Sequence, residues 1–473
     1  MNYALALIVV HTLLAGISAG HALLYKRDPR SALGWIAVCI AYPFIGALLY
    51  YMFGVNRLHT RAKFIKGQPK THIKSNYERP DIISIKNNVS LPSQISGRPD
   101  LSMLARSSEA VTSRPLVEGN NILPLFNGEA AYSEMLSAIR KAVNYICLQS
   151  YIFETDCVGK EFVHALTAAT KRGVDVRVLL DGIGELYSYP HASRLFKKNG
   201  VKVAKFIPPS LLPPSLHINM RNHRKTLVVD GEIGFTGGMN IGARHINKQS
   251  DIHFKMAGPV VQQLQDVFDE DWHFATGRLQ RATISTLASQ GEAVCRVITD
   301  GPNEDVGKLA MIITQAIALS RKKISIMTPY LLPPAQVIGN LQAAALRGIE
   351  VDIILPQYSN QPVVHWATRN MLWELLQFNV NVYYQPPPFA HSKLFLIDDH
   401  YVIFGSANLD QRSLRLNFEL VTEVFDYELS CIMRQHFDVV KGLSLKESLT
   451  NVDNRSFHVR LRDATAWLFS PYL

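Results

Sequence analysis

Two stretches of this chain carry the same residues at the same spacing: His223, Lys225 and Asp230, then His391, Lys393 and Asp398, each reading His-x-Lys-x4-Asp. A Gly and an Asn follow in register, Gly237 and Asn240 after the first copy, Gly405 and Asn408 after the second. A carboxylate then comes 21 residues beyond each Asp, as Asp251 and as Glu419. The runs Thr-Leu-Val-Val and Leu-Phe-Leu-Ile between Lys and Asp read as short strands, so His and Lys of each copy point to one face. A lysine ammonium suits a phosphate oxygen as a point charge, and an asparagine amide can donate to the same group. A single His-x-Lys would be an ordinary surface pattern. Two copies in register imply one shared pocket with two imidazoles, two ammoniums and two amides, a setting for a phosphodiester monoanion.

In such a pocket a neutral imidazole can attack phosphorus while the opposite imidazolium protonates the leaving alkoxide; the second imidazole then deprotonates an incoming hydroxyl. Asp251 is expected to orient His223, and Glu419 to orient His391, each accepting a hydrogen bond from the other ring nitrogen. Asp230 and Asp398 complete the catalytic motif, although as strand ends they read as structural partners of backbone or of a base. Lys and Asn would supply the charge stabilisation that a metal gives elsewhere, so no metal and no cofactor is expected. His253, Arg412 and Ser413 read as support close to the site, and His11, His21 and His164, in apolar surroundings, as packing residues.

The elements that must position these groups alternate. Residues 137–144 have helical spacing, 145–153 read as a buried strand, 160–172 as a helix and 174–181 as a strand, a βαβ unit. The second half repeats it at 315–321, 323–330, 335–347 and 349–356. Arg172-Gly173-Val-Asp-Val matches Arg347-Gly348-Ile-Glu-Val, with a Gly after each helix suited to a left-handed C-cap. Parallel sheets covered by helices are expected, one per half, with each motif on a late strand and the halves facing one another. The proline-rich stretches 208–215 and 386–388 precede the two motifs. They read as stiff loops, or as an apolar lip in which Leu211, Leu212 and Leu216 meet a bilayer.

The N-terminus has another character. Residues 2–25 and 31–56 carry no Lys, Arg, Asp or Glu, and each is long enough to span about 30 Å of hydrocarbon as a helix, with Pro43 a possible kink in the second. A cleaved leader would need a basic stretch ahead of the apolar run, which is missing. Lys26, Arg27 and Arg30 sit in the turn; the larger cluster Arg57, Arg61, Lys63, Lys66, Lys70 and Lys74 follows the second segment and favours both termini in the cytoplasm. The expected organisation is a transmembrane hairpin at 1–56, a polar tether at 57–115, and two halves at 116–290 and 291–473. The net charge of +10 favours an anionic partner, either lipid surface or nucleic acid. Five scattered cysteines lack the spacings of a zinc site or disulfide framework.

The doubled motif followed by Gly-Ser-x-Asn resembles the phospholipase D superfamily. The segments from Arg221 to Asn240, from Ser250 to Pro259 and from Gly405 to Glu419 resemble its bacterial cardiolipin synthases, as do the N-terminal hairpin with Asp28-Pro-Arg-Ser-Ala-Leu-Gly-Trp35 and the Ser-Pro-x-Leu ending. The resemblance implies two phospholipase D-like α/β halves related by pseudo-two-fold symmetry, on a multi-pass protein of the bacterial inner membrane with its catalytic domain inside. It implies transfer of a phosphatidyl group from one phosphatidylglycerol to another through a phosphohistidine, releasing glycerol. His223, Lys225, His391 and Lys393 would act on phosphorus, with Asn240, Ser406 and Asn408 binding phosphate, His223 as nucleophile and His391 as acid and base. Gly238 stands where the second copy has Ser406, so the halves are unequal. A phosphodiester hydrolase or nuclease is the other reading. The hairpin and the presence of both motifs in one chain weigh against it, so phospholipid and bilayer, not nucleic acid, are the expected partners; oligomeric state is left open.

Overall fold

The structure, a computed structural model, describes residues 3–26, 29–54, 95, 97–112, 114–211, 214–215, 220–278, 288–302, 307–471 and 473. The chain forms two compact units, one comprising Met1–His72 with Ser210–Leu216, the other all remaining residues. In the first, helix α1 (Tyr3–Tyr25) is long and apolar enough to cross a bilayer over Leu5–Tyr25. The second apolar segment differs from the single helix expected over 31–56. Helix α2 (Pro29–Ala41) stops before Pro43, a short helix resumes at Ile45–Leu49, and a π turn closes it at Tyr50–Gly54. Proline lacks the N–H that would continue the ladder, and its ring crowds the preceding turn. Ala22, Cys39 and Tyr50 bury one another, and His21 Nδ1 lies 2.7 Å from the Tyr50 hydroxyl. Arg27, the basic cluster from Arg57 to Lys74, Leu212 and Leu216 lie outside the described residues.

The second unit is built on one mixed sheet of 15 strands. Seven come from the first half: β1 (Val117–Phe126), β2 (Tyr145–Ser150), β3 (Asp175–Asp181), β4 (Lys202–Phe206), β5 (Thr226–Val229), β6 (Ile233–Gly237) and β7 (Ile252–Ala257). The second half supplies β8 (Ala293–Asp300), β9 (Lys323–Met327), β10 (Glu350–Pro356), β11 (Asn381–Gln385), β12 (Leu394–Ile397), β13 (Tyr401–Gly405), β14 (Glu419–Phe425) and the short edge strand β15 (Leu445–Lys446). From the central pair β1 and β8, the order runs β1-β7-β6-β5-β2-β3-β4 one way and β8-β14-β13-β12-β9-β10-β11-β15 the other. The expectation of separate parallel sheets is corrected. Only β2-β3-β4 and β9-β10-β11 are parallel, because each motif strand turns back through a three-residue loop into an antiparallel hairpin.

Helices α3 (Asn127–Lys141), α4 (Cys157–Lys171) and α5 (Val260–Thr276) belong to the first half, and α6 (Lys308–Leu319), α7 (Ala335–Leu346), α8 (Pro362–Leu376), α9 (Tyr427–Leu443) and α10 (Phe457–Trp467) to the second. On α4, Phe162 and Leu166 face Leu148 and Val178 of the sheet and are fully buried; truncating such a phenylalanine to alanine costs about 3–5 kcal/mol. His164, on the opposite face of α4, is exposed and is not the packing residue expected. A helix at Pro99–Thr112 buries Leu101, Leu104 and Ala105 in the core of the second half beside Ile312 and Val294. Arg296 at the centre of the sheet is wholly buried and pairs with Glu423, which also accepts from the Tyr401 hydroxyl at 2.7 Å.

Candidate functional site

Each motif enters its strand by pairing with the opposite half. Asn222 bridges to Phe418, and the His223 N–H donates to the Phe418 carbonyl at 2.9 Å. Reciprocally, Phe389–Ala390 pairs with Gln249–Ser250, and the His391 N–H donates to the Ser250 carbonyl at 2.8 Å. The residue after Phe418 is Glu419, and the residue after Ser250 is Asp251. The pairing therefore delivers each carboxylate to the histidine of the other half. His223 Nδ1 lies 3.0 Å from both oxygens of Glu419, and His391 Nδ1 lies 2.7 Å from Asp251. The expected assignment, Asp251 with His223 and Glu419 with His391, is corrected: the pairs are crossed.

Both histidines sit in one buried site, 9% and 8% exposed, with Lys225 and Lys393 buried beside them. Each ammonium donates to the carbonyl of its own histidine at 2.6 Å, which orients the lysine and leaves N–H groups for a ligand. Lys393 Nζ is also 3.1 Å from His391 Nδ1, and Lys225 Nζ lies 5.3 Å from the Tyr151 ring centre, whose edge meets His223. Burial pushes the His223 imidazole down to about 4, against the pull of Glu419, and takes His391 well below its usual range. Burial also brings Lys225 down to about 7 and Lys393 to about 8. Burial would raise the Glu419 carboxyl, but His223, Lys225 and Ser406 outweigh it and hold it at about 2. Asp251 is raised, by burial. Near neutrality both rings are thus neutral, with Nδ1–H facing a carboxylate and Nε2 carrying the lone pair.

Asp230 and Asp398 are not in the pocket. Asp230 accepts the backbone N–H groups of Val143, Asn144 and Tyr145 at 2.7–2.8 Å, and Asp398 those of Arg321, Lys322 and Lys323 at 2.7–3.0 Å. Both adopt left-handed backbone, φ 52° and 48°, at the first position of the hairpin loop. They tie the end of the motif strand to the start of the neighbouring antiparallel strand, so their inclusion with the catalytic residues is corrected in favour of the structural reading.

The phosphate-binding expectations divide. Ser406 donates its hydroxyl to Glu419 and accepts the Leu420 N–H, so it braces the carboxylate instead of facing a ligand. Asn240 Oδ1 accepts the Ile152 N–H at 3.1 Å, leaving its amide nitrogen to donate. Asn408 supports Asp410, whose carboxyl burial raises to about 6. At Gly238 a Cβ would stand 2.4 Å from Asp251 Oδ1, so no serine fits there. The nearest polar side chain on that side of Asp251 is His245, which the sequence analysis does not single out. His245 Nε2 accepts the Asn240 N–H at 3.2 Å, which puts its proton on Nδ1, 3.7 Å from Asp251 Oδ2. The signal was slight: His245 stands five residues after Asn240 where the second copy has Ser413.

Of the supporting residues, His253 is buried beside Gly237, Ser413 donates its backbone N–H to Asp410, and Arg412 acts electrostatically on Tyr151. Arg224, inside the first motif, donates to Asp271 at 2.6 Å and to the Glu419 carbonyl at 3.1 Å, fastening motif to α5 and to the other half. His245, Asp251 and His391 bring ligand-type atoms within 4.8 Å of one another. The Lys393 ammonium beside His391 Nδ1 disfavours a divalent ion there.

Residues 135–272 and 313–440 match the family described as cardiolipin synthase, PLD-like domain, and residues 13–54 match a phospholipase D-nuclease N-terminal family. A cardiolipin synthase of Alkalihalophilus pseudofirmus is 31% identical over 95% of this chain and 90% of its own length. Cardiolipin synthase 1 of Staphylococcus epidermidis is 30% identical over 95% and 93%. Among solved structures, a phosphatidylserine synthase of Haemophilus influenzae shares the fold with a TM-score of 0.62, 14% identity and coverage of 78% of this chain and 100% of its own.

Proposed function

The chain belongs to the cardiolipin synthase family of phospholipase D-like proteins, and from that membership we propose that it transfers a phosphatidyl group from one phosphatidylglycerol to a hydroxyl of a second, giving cardiolipin and glycerol. The observation that carries this reading is the crossed pair of buried histidine–carboxylate couples flanked by two lysines. A phosphodiester monoanion bound against Lys225, Lys393 and the Asn240 amide draws a proton onto one imidazole, because its charge raises the pKa of both rings. We assign His223 as the nucleophile: its Nδ1–H is held by both oxygens of an ionised Glu419, which fixes the ring and makes Nε2 electron-rich, and the proton goes to His391.

In the first step Nε2 of His223 forms a bond to phosphorus, the bond to the glycerol oxygen breaks, and the His391 imidazolium gives that oxygen its proton. Glycerol leaves. His391, now neutral, removes the proton of the second lipid's hydroxyl, whose oxygen displaces His223 from phosphorus. Asp251 and Glu419 hold the rings, and the lysines stabilise charge on the non-bridging oxygens. The two exposures below 10% at the histidines support transfer over hydrolysis, since water is kept from the intermediate.

The reading extends to the membrane. α1 and the broken segment from Pro29 to Gly54 act as a hairpin of two spans, with the two halves of the second unit, related by pseudo-two-fold symmetry, on the cytoplasmic side. Its support is the apolar length of α1 and the basic residues that follow the second segment. Incubating the purified protein with labelled phosphatidylglycerol should yield cardiolipin and free glycerol. Phosphatidic acid as the sole product would make it a hydrolase, and cut DNA without lipid product would make it a nuclease.

A further inference from the structure

We propose that the groove between α8 and α10 is an accessory site for an anionic phospholipid, with an acyl chain along its walls and the phosphate at its arginine mouth. This rests on the membrane reading above. The groove encloses about 470 Å³, and its walls include Val363, Trp366, Leu461 and Phe469, with Arg462 and His458 at the rim. That volume lies within the range of small-molecule sites. Beneath it, Asp463 is wholly buried and receives three guanidiniums: Arg369 at 2.7 Å, Arg462 at 2.8 Å and Arg455 at 2.5 Å.

One carboxylate neutralises one of those charges. Among the described residues no other carboxylate pairs with the three arginines, so the cluster keeps a positive surplus beside an apolar cavity. Arg462, 40% exposed at its side chain, lies over the Trp366 ring at 4.5 Å and points its remaining surface to the groove mouth. Around it Phe457, Leu461, Leu468 and Phe469 are all more than half exposed. A soluble anion would satisfy the charge and leave these apolar walls in water, whereas a lipid of a bilayer satisfies both. The groove is also tied to the catalytic region. Thr368 of α8 donates to the Leu331 carbonyl at 3.0 Å, and Leu331 pairs with Leu409, the residue after Asn408.

The test uses the full chain in nanodiscs, with tryptophan emission quenched by brominated lipid. Phosphatidic acid is the anionic probe, because it has the phosphate but no second ester to transfer; brominated phosphatidylcholine is the control. The signal of Trp366 is the difference from Trp366→Phe. Brominated phosphatidic acid should quench Trp366 more than phosphatidylcholine at equal mole fraction. Arg462→Gln should raise the mole fraction giving half of that excess by about fivefold, and Phe469→Ser, at an exposed position, should weaken it without loss of fold. Equal quenching by the two lipids, or an excess untouched by both variants, overturns the site. Glycerol phosphate that abolishes the excess at the lipid's own concentration overturns the acyl-chain part. Cardiolipin formation, followed in parallel on phosphatidylglycerol, reports separately on the proposed function.

Discussion

His391 Nδ1 lies 2.7 Å from a carboxylate oxygen of Asp251, a residue of the opposite half. Glu419 returns the arrangement to His223, so each imidazole depends on a carboxylate that only the docked halves can provide. Neither half can assemble a working histidine alone. Asp251→Asn should leave the protein folded and lower kcat by roughly 10³ to 10⁴, the effect of losing the tautomer-fixing carboxylate. The crossed assignment has its own readout. The low-field Nδ1 proton of His391 should vanish in Asp251→Asn while that of His223 persists, and Glu419→Gln should do the reverse. Loss of the His223 proton in Asp251→Asn would mean that the pairs are not crossed.

His223→Ala and His391→Ala should each reduce transfer by about 10³-fold or more, since each ring takes part in both half-reactions. Chelation with EDTA should leave the wild-type rate unchanged, because Lys225 and Lys393 occupy the place of a cation. A rate that falls with EDTA and returns with a divalent ion would contradict the scheme.

The pH dependence follows from the buried lysines. Lys225 at about 7 and Lys393 at about 8 are depressed from the usual range, so their charges are present at lower pH and are lost as pH rises through those values. The phosphodiester is held less well as they go, and kcat/KM, which reports the free enzyme, should fall more steeply above about pH 7 to 8. Bound anion raises both lysines, so the alkaline limb of kcat should lie at higher pH than that of kcat/KM. On the acid side His223 stays neutral down to about 4, so activity should persist well below pH 6. Coincident alkaline limbs for the two parameters would show that the lysines do not touch the phosphate.

Asp230 and Asp398 should matter to stability more than to chemistry. Each carboxylate accepts three backbone N–H groups from a left-handed loop position. Alanine would remove those acceptors and also sit badly at positive φ, at a cost of about 1–3 kcal/mol per site. Asn, which tolerates that conformation, should recover part of the loss. Denaturant midpoints should shift in both alanine variants, while the rate per folded molecule changes little.

What could be read from the linear sequence was what repeats locally: His, Lys and Asn within each motif, the strand between Lys and Asp, and the βαβ units on either side. The crossed carboxylates could not be read, because the partner of His223 is set by the pairing of Asn222 with Phe418, 196 residues away in chain from the next position, Glu419, to its histidine. Offset alone suggested a partner within the same half. Helical spacing shows in the sequence only over 137–144, whereas the helix runs from Asn127 to Lys141, Asn127 entering it with φ 60°. The resemblance implies a phosphate-binding role for Ser406, but its hydroxyl donates to Glu419.

His245 is the residue that makes the two halves differ most. In the second half Glu419 is hydrogen-bonded by Ser406 and by Asn417 at 3.1 Å; in the first, a Cβ at Gly238 would meet Asp251, and His245 stands 3.7 Å from the carboxylate without a hydrogen bond to it. Burial and the Asn240 N–H both keep His245 neutral with its proton on Nδ1, toward Asp251. It is a positioning residue: its ring meets that of His391 edge-on at 5.6 Å between centroids, and its Nδ1 lies 3.7 Å from the Asp251 carboxylate, near enough for electrostatics but beyond hydrogen-bond reach. Removing it in His245→Leu takes away the ring packed against His391 and the polar group nearest Asp251 on that side, and should reduce kcat by about 10-fold with little change in KM, the low end of the losses seen when a group supporting a reactive residue is removed. His245→Gln, which restores a polar group beside Asp251, should recover part of the rate. The low-field His391 proton should weaken in the leucine variant and return in the glutamine variant. A His391 proton unchanged in the leucine variant would leave His245 with a packing role alone.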